Sequence, residues 1–172
     1  MAASVHHLVR AETSRLRATV TIATVVAALL LQAYLPLVSS YANLVDLPLL
    51  VTVYLALLRR NPVAGLSLGA VIGLVQDSLS NAPVGLYGII KTMVGYLCST
   101  LATVMAVQSL VIRAALVSIL YMFHHFCFWV IERALLGRAA VFVWDRSLLL
   151  ALVNAGVAIV VFRLLDRFRE ST

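Results

Sequence analysis

Residues 46–77 read DLPLLVTVYLALLRRNPVAGLSLGAVIGLVQD, which is two apolar runs separated by Arg59, Arg60, Asn61 and Pro62. Asparagine is a favoured helix N-cap and proline is favoured at the first helical position, so a helix is predicted to begin at Pro62. A connection this short joins helices that lie side by side in opposite directions. The stretch therefore predicts a helical hairpin with two largely apolar arms.

Further apolar runs flank this hairpin on both sides. Of the 172 residues, 63% are hydrophobic and only 12% are charged, whereas soluble domains are about half apolar. A transmembrane helix needs about 20 apolar residues. The sequence therefore predicts an all-α polytopic membrane protein with six transmembrane helices in one bundle. The predicted spans, in a single domain of residues 1–172, are 18–38, 44–58, 62–76, 84–107, 109–131 and 147–165.

The basic residues lie mostly between and beside these spans. The chain has 13 Lys and Arg against 7 Asp and Glu, a net charge of +6. Beside apolar spans such residues act as orientation signals and contacts to lipid headgroups, so no nucleic-acid partner is expected and the lipid bilayer is the expected surroundings. Tyr41, Trp129 and Trp144 fit an outer aromatic belt, and Arg113 fits an interfacial anchor.

The distribution of basic residues predicts the orientation. If the N-terminus is cytoplasmic, nine basic residues lie inside and three outside, so both termini are predicted to be cytoplasmic. The inner residues are Arg10, Arg15, Arg17, Arg59, Arg60, Arg113, Arg163, Arg167 and Arg169, and the outer residues are Arg133, Arg138 and Arg146.

Several polar residues share a depth within the predicted spans. They lie roughly seven positions, or about 10 Å, below the predicted outer interface. A Lys at the centre of a bilayer costs about 2.5 to 3.5 kcal/mol on insertion scales, so these groups are expected to face one another. Together with Asp77 they form a candidate intramembrane polar layer: Gln32, Asp77, Lys91, His124, His125 and Asn154.

Three interpretations of this polar layer remain open. Lys91 could reach the outer headgroups while neighbouring helices satisfy the histidines. The layer could instead fix the register of the helices, or form a site for a small molecule or a proton. Asp77 is predicted at the C-terminal end of the third span, where the helix dipole disfavours a carboxylate. We therefore expect Asp77 to pair with Lys91.

Small residues provide a second candidate site. Gly65, Gly69 and Gly73 recur every four residues along the third span, a stripe that allows another helix to approach closely. Packing within the bundle is the favoured interpretation, and a partner surface is the alternative. Ala23 and Ala27 form a weaker pair with the same spacing.

No pattern typical of catalysis or metal binding is present in the sequence. The chain lacks GxSxG, HExxH and a phosphate-binding glycine loop. His124 and His125 are adjacent and would point about 100° apart on a helix, so they do not form a metal-binding face. Cys98 and Cys127 lack the spacing of a metal site. We therefore expect no enzyme activity, no cofactor and no metal.

Several short motifs resemble the rod-shape-determining membrane protein family MreD of bacteria, over about a third of the chain. They are Asp46 to Leu50, the turn from Arg59 to Pro62, the glycine-rich third span, Gln76 to Ser80, Ala82 to Leu86, and Val94 to Leu97. The resemblance implies a noncatalytic component of the cell-elongation complex in the bacterial cytoplasmic membrane. Such proteins bind the single-span protein MreC and work with MreB, RodA and a class B penicillin-binding protein in lateral peptidoglycan synthesis.

The resemblance also implies an alternative function. The MreD family is similar in fold to the six-helix substrate-binding subunits of energy-coupling-factor transporters. The chain could therefore be a membrane subunit that binds a vitamin or another small solute. In that case Lys91, His124 and Asn154 would line a pocket that opens to the outside.

Overall fold

The computed structural model describes residues 15–16, 18–38, 44–80, 83–105, 107, 109–139 and 141–170. Within this part of the chain the architecture is all-α, as predicted, and the six helices are α1 (Ala18–Val38), α2 (Leu47–Arg59), α3 (Pro62–Leu79), α4 (Leu86–Val104), α5 (Leu110–Ala134) and α6 (Trp144–Asp166). Two-residue strands β1 (Arg15–Leu16) and β2 (Arg169–Glu170) pair antiparallel. Arg10, Arg17 and Tyr41 lie outside the described residues.

Some helix ends differ from the ends of the predicted spans. Helix α3 continues to Leu79, so Asp77 lies in its last turns and not in the connection that follows. Helix α6 begins at Trp144, so Arg146 belongs to its first turn. Helix α2 begins at Leu47, after the N-cap Asp46. These ends matter because they bring charged side chains onto helix termini.

Helix α2 lies at the centre of the bundle. Its 13 residues include ten consecutive buried ones, 48–57, and it packs against each of the other five helices. A helix that is apolar on all sides is stable only when other elements surround it. At 1.5 Å per residue α2 is about 20 Å long. Four of the surrounding helices, α1, α3, α5 and α6, are long and apolar enough to cross a membrane.

The glycine stripe of α3 lies inside the bundle, against α4. A Cβ atom at Gly69 would overlap the backbone carbonyl of Lys91, and one at Gly65 would overlap that of Gly95. Gly73 is equally close to the backbone of the first turn of α4. The absence of side chains on this face allows the two antiparallel helices to touch along their backbones. The spacing therefore fixes how α4, and with it Lys91, is positioned.

A second set of polar contacts joins α2, α5 and α6 at the opposite end of the bundle from Asp46. Arg113 forms an ion pair with Asp166 at 2.9 Å, and its Nε donates to the carbonyl of Val107. The hydroxyl of Tyr54 donates to Asp166 at 2.9 Å. Arg113, predicted as an interfacial anchor, therefore also binds neighbouring elements of the bundle through its guanidinium group.

The α3–α4 contact predicts different outcomes for two Gly→Ala substitutions. Gly69→Ala should lower the free energy of unfolding by about 1 to 3 kcal/mol, as for other overpacked sites. Gly156→Ala in α6 is the matched control, because a Cβ there meets open space. Thermal unfolding in detergent, followed by loss of the monodisperse peak in size-exclusion chromatography, measures both. Equal midpoints for the two variants would contradict the close contact.

Candidate functional site

The buried start of α2 requires acceptors for its backbone N–H groups, since the first turn of a helix has none of its own. The N–H of Leu47 donates to Oε1 of Gln32, on α1, at 2.9 Å. Residue 48 is a proline and has no N–H. The N–H of Leu49 donates to Oδ1 of Asp46 at 2.9 Å, which makes Asp46 a side-chain cap. The N–H groups of Leu47 and Leu49 are therefore both satisfied by side chains.

Asn154, on α6, holds the residues just before α2. Its Oδ1 accepts from the N–H of Asp46 at 2.9 Å. Its Nδ2 donates to the carbonyl oxygens of Leu44 and Leu150, both at 2.9 Å. The side chain is fully buried, so these bonds replace the water that Asn154 would otherwise bind. Asn154 therefore ties α6 to α2.

The carboxylate of Asp46 also carries the main ion pair of the site. Lys91 Nζ, on α4, lies 2.9 Å from Oδ2 and 3.1 Å from Oδ1 of Asp46. His124 Nε2, on α5, lies 3.7 Å from Oδ2. The Lys91 side chain is 0% exposed, so the pair neutralises a charge that could not remain in the interior alone. We call these five residues the Asp46 cluster: Gln32, Asp46, Lys91, His124 and Asn154.

The predicted pair between Asp77 and Lys91 is wrong. Asp77 accepts hydrogen bonds from the backbone N–H groups of Gly85, Tyr87 and Gly88, at 3.0, 2.9 and 2.9 Å. These groups belong to the start of α4, whose positive dipole end stabilises a carboxylate. Asp77 therefore obtains its compensating charge from a helix N-terminus. The interpretation in which Lys91 reaches the headgroups is also excluded, because its side chain is buried.

The two adjacent histidines occupy different surroundings. His124 stacks on Tyr87 with ring centroids 6.1 Å apart, and Lys91 Nζ lies 5.5 Å from the centre of the same tyrosine ring. His125 instead stacks on Tyr121 at 6.1 Å, beside Phe142. His125 is therefore outside the Asp46 cluster. Among the described residues, His, Cys, Asp and Glu form no group of three placed to hold a metal ion.

A cavity of about 450 Å³ opens beside the Asp46 cluster. It lies at the end of the bundle where α2, α4 and α6 begin and where α3 and α5 end, which we call the Asp46 end. Its polar lining includes Asp46, Gln76, His124, His125 and Arg146. Within the described part of the chain, Gln76 Oε1 and His124 Nε2 are the buried side-chain atoms that lack a hydrogen-bond partner.

Asp46, Gln76 and Arg146 line the site but are missing from the predicted polar layer. Asp46 has a signal in the sequence, because Asp followed by Leu-Pro is typical of an N-cap with proline in the first turn. That signal predicts the cap but not the ion pair with Lys91, which is 45 residues away. Gln76 has no such signal.

The fold and the site together define the class of protein. This is a polytopic helical membrane protein in which the buried charges bind to one another and to helix ends. A family model described as rod shape-determining protein MreD matches residues 13–168, nearly the whole chain. The chain therefore belongs to the MreD family of rod-shape-determining membrane proteins, as the sequence motifs predict. Searches of curated proteins and of solved structures gave no match.

The ion pair predicts a strong coupling between two substitutions. Lys91→Met alone should lower the free energy of unfolding by about 3 to 5 kcal/mol, because it leaves the Asp46 carboxylate, whose side chain is only 15% exposed, without its cation. Adding Asp46→Asn should restore much of that loss, since asparagine still caps α2.

Thermal unfolding of the single and double variants in detergent measures this coupling. Arg138→Gln is the control, because it breaks the more exposed Arg138–Glu132 pair and should change stability by no more than about 1 kcal/mol. Losses that simply add for Lys91→Met and Asp46→Asn would contradict the pair.

Proposed function

We propose that this protein is a noncatalytic component of the bacterial cell-elongation complex. It maintains rod shape by binding a single-span membrane protein similar to MreC, and through that partner it supports RodA, a class B penicillin-binding protein and MreB in lateral peptidoglycan synthesis. The observation that carries this proposal is the match to the MreD model over residues 13–168. The same match favours cell shape over the alternative function, a solute-binding subunit of a transporter.

The partner helix needs a surface that the bundle itself leaves free. The glycine stripe of α3 does not offer one, because α4 already fills it. Helix α1 is the least covered of the four long apolar helices, with 17% of its most apolar window buried against 33% for each of the others. It packs mainly on α2 and α3. Most of α1 therefore faces outward.

The outward face of α1 has the composition of a helix-packing surface. Ala23 and Ala27 are exposed and one turn apart, and Ile22, Val26 and Leu30 are exposed around them. Apolar surface alone does not drive helices together in lipid, whereas small residues spaced by four let two backbones approach closely. We call these five residues the Ala23 face and assign the partner helix to it.

The Asp46 cluster supports this surface from within. Gln32 extends from α1 to the first N–H of α2, so the position of α1 depends on the start of the central helix. A binding surface performs best when a rigid scaffold holds it in place before the partner arrives. The buried cluster is thus a positioning device for the proposed docking helix and carries no bond chemistry.

We further propose that the protein lies in the cytoplasmic membrane as one domain with both termini in the cytoplasm. The excess of basic residues on the side that contains Arg59 and Arg60 supports this orientation. The pairing of β1 with β2 also supports it, because residues near both termini then lie at one end of the bundle. In this orientation the Asp46 end faces outward.

Bulky residues on the Ala23 face should weaken partner binding. With Ala23→Leu and Ala27→Leu combined, recovery of a coexpressed MreC-like partner in mild detergent should fall by about tenfold, as expected for the loss of roughly 1.4 kcal/mol. Cells that depend on this variant should become round. Gly156→Leu, on the open face of α6, is the control. Full recovery and normal rods with the double variant would remove α1 from the interface.

The orientation is tested with a phosphatase that is active only outside the cytoplasm. Fused after Thr172 it should be inactive, and fused after Gly137, in the α5–α6 connection, it should be active, because the predicted topology puts these two points on opposite sides. The reverse pattern would mean that the bundle has the opposite orientation, and equal activity at both points would contradict a crossing of the membrane by α6.

A further inference from the structure

Two adjoining openings lie at the Asp46 end and differ in chemistry. The first is the polar cavity of about 450 Å³, within the range of about 300 to 1,000 Å³ that is usual for small-molecule sites. The second is an apolar cleft of about 150 Å³ between α1 and α6. Gln32 and Val45 line both openings. The other residues of the cleft are Leu31, Leu35, Leu47 and Val157. A polar cavity and an apolar cleft therefore lie side by side and share part of their walls.

The deep wall of the cavity contains unused hydrogen-bonding atoms. Gln76 and His124 are both more than nine-tenths buried, and neither Gln76 Oε1 nor His124 Nε2 has a hydrogen-bond partner among the described residues; the nearest charged atom to His124 Nε2 is Asp46 Oδ2 at 3.7 Å. A buried polar atom without a partner loses its hydration and gains nothing in return. A ligand with hydroxyl groups would satisfy both atoms.

An exposed cation, Arg146, lines the cavity. Arg146 is exposed in the first turn of α6, and it forms no ion pair with any residue that the structure describes. Guanidinium groups are suited to bidentate binding of phosphate, and a helix N-terminus also favours an anion. The other charges of the cavity wall do not oppose this, because Lys91 neutralises Asp46.

We propose that this composite site binds one membrane phospholipid with a hydroxyl-bearing headgroup. Its phosphate lies at Arg146, its headgroup hydroxyls bind Gln76 and His124, and an acyl chain fills the cleft between α1 and α6. This lipid site is distinct from the proposed partner surface, because Leu31 and Leu35 line the cleft whereas the Ala23 face stays available to the partner helix. The bound lipid would connect α1 to α6.

The experiment measures retention of radiolabelled phosphatidylglycerol by the full chain, purified in mild detergent. The unmodified protein should retain the lipid, and Arg146→Gln should weaken binding by about tenfold or more because a charge-assisted contact is lost. Val157→Trp should weaken it similarly by filling the cleft. The controls are Arg163→Gln and Val160→Trp, both at exposed positions on α6 that line neither opening, and both should bind as the unmodified protein does.

Two competitors identify the source of the phosphate. Unlabelled phosphatidylglycerol should displace the label, whereas soluble glycerol 1-phosphate at the same concentration should not, because it lacks the acyl chain. Displacement by glycerol phosphate as effective as by the lipid would overturn the proposal in favour of a soluble ligand. Equal retention by Arg146→Gln, Val157→Trp and their controls would overturn it altogether. Thermal unfolding without lipid confirms that all four variants are folded.

Discussion

The structure depends on one requirement at the start of its buried central helix, α2. The N–H groups of the first turn need hydrogen-bond acceptors, and the carboxylate that caps the helix needs a counter-charge. Water meets these needs at an exposed helix end, but the first turn of α2 is largely buried, from Pro48 onward. Gln32, Asp46 and Asn154 replace water there, and Lys91 balances the carboxylate. Removing one member leaves a polar group unpaired in the interior, so these residues act as a unit.

The two carboxylates at this end perform the same task for two helices. Asp46 caps α2 and takes its cation from α4, while Asp77 caps α4 and needs no cation, because three N–H groups bind it. The glycine stripe of α3 makes both arrangements possible. It brings α4 close enough for Asp77 to reach the start of that helix, and it fixes the rotation that directs Lys91 toward Asp46.

This organisation suits a protein that works by contact with neighbours. The polar bonds are concentrated around α2, and the outer helices present Ile, Leu and Val outward, as lipid-facing surfaces require. A rigid interior then holds the proposed docking helix α1 in one position. The cavity adds a second way to stabilise that position, since a lipid between α1 and α6 would join the least covered helix to the rest of the bundle.

The sequence by itself determined the all-α membrane architecture, the helical hairpin at Asn61 and Pro62, the glycine spacing and most of the polar layer, because apolar run length, capping residues and periodicity are local properties. Only the tertiary structure decided which of these side chains bind to one another. Asp46 lies 45 residues from Lys91 and 108 from Asn154. Local sequence patterns do not predict which helices become neighbours or how each helix is rotated about its axis. The error at Asp77 has the same origin, since its counter-charge is a helix end that exists only once α4 has formed and docked.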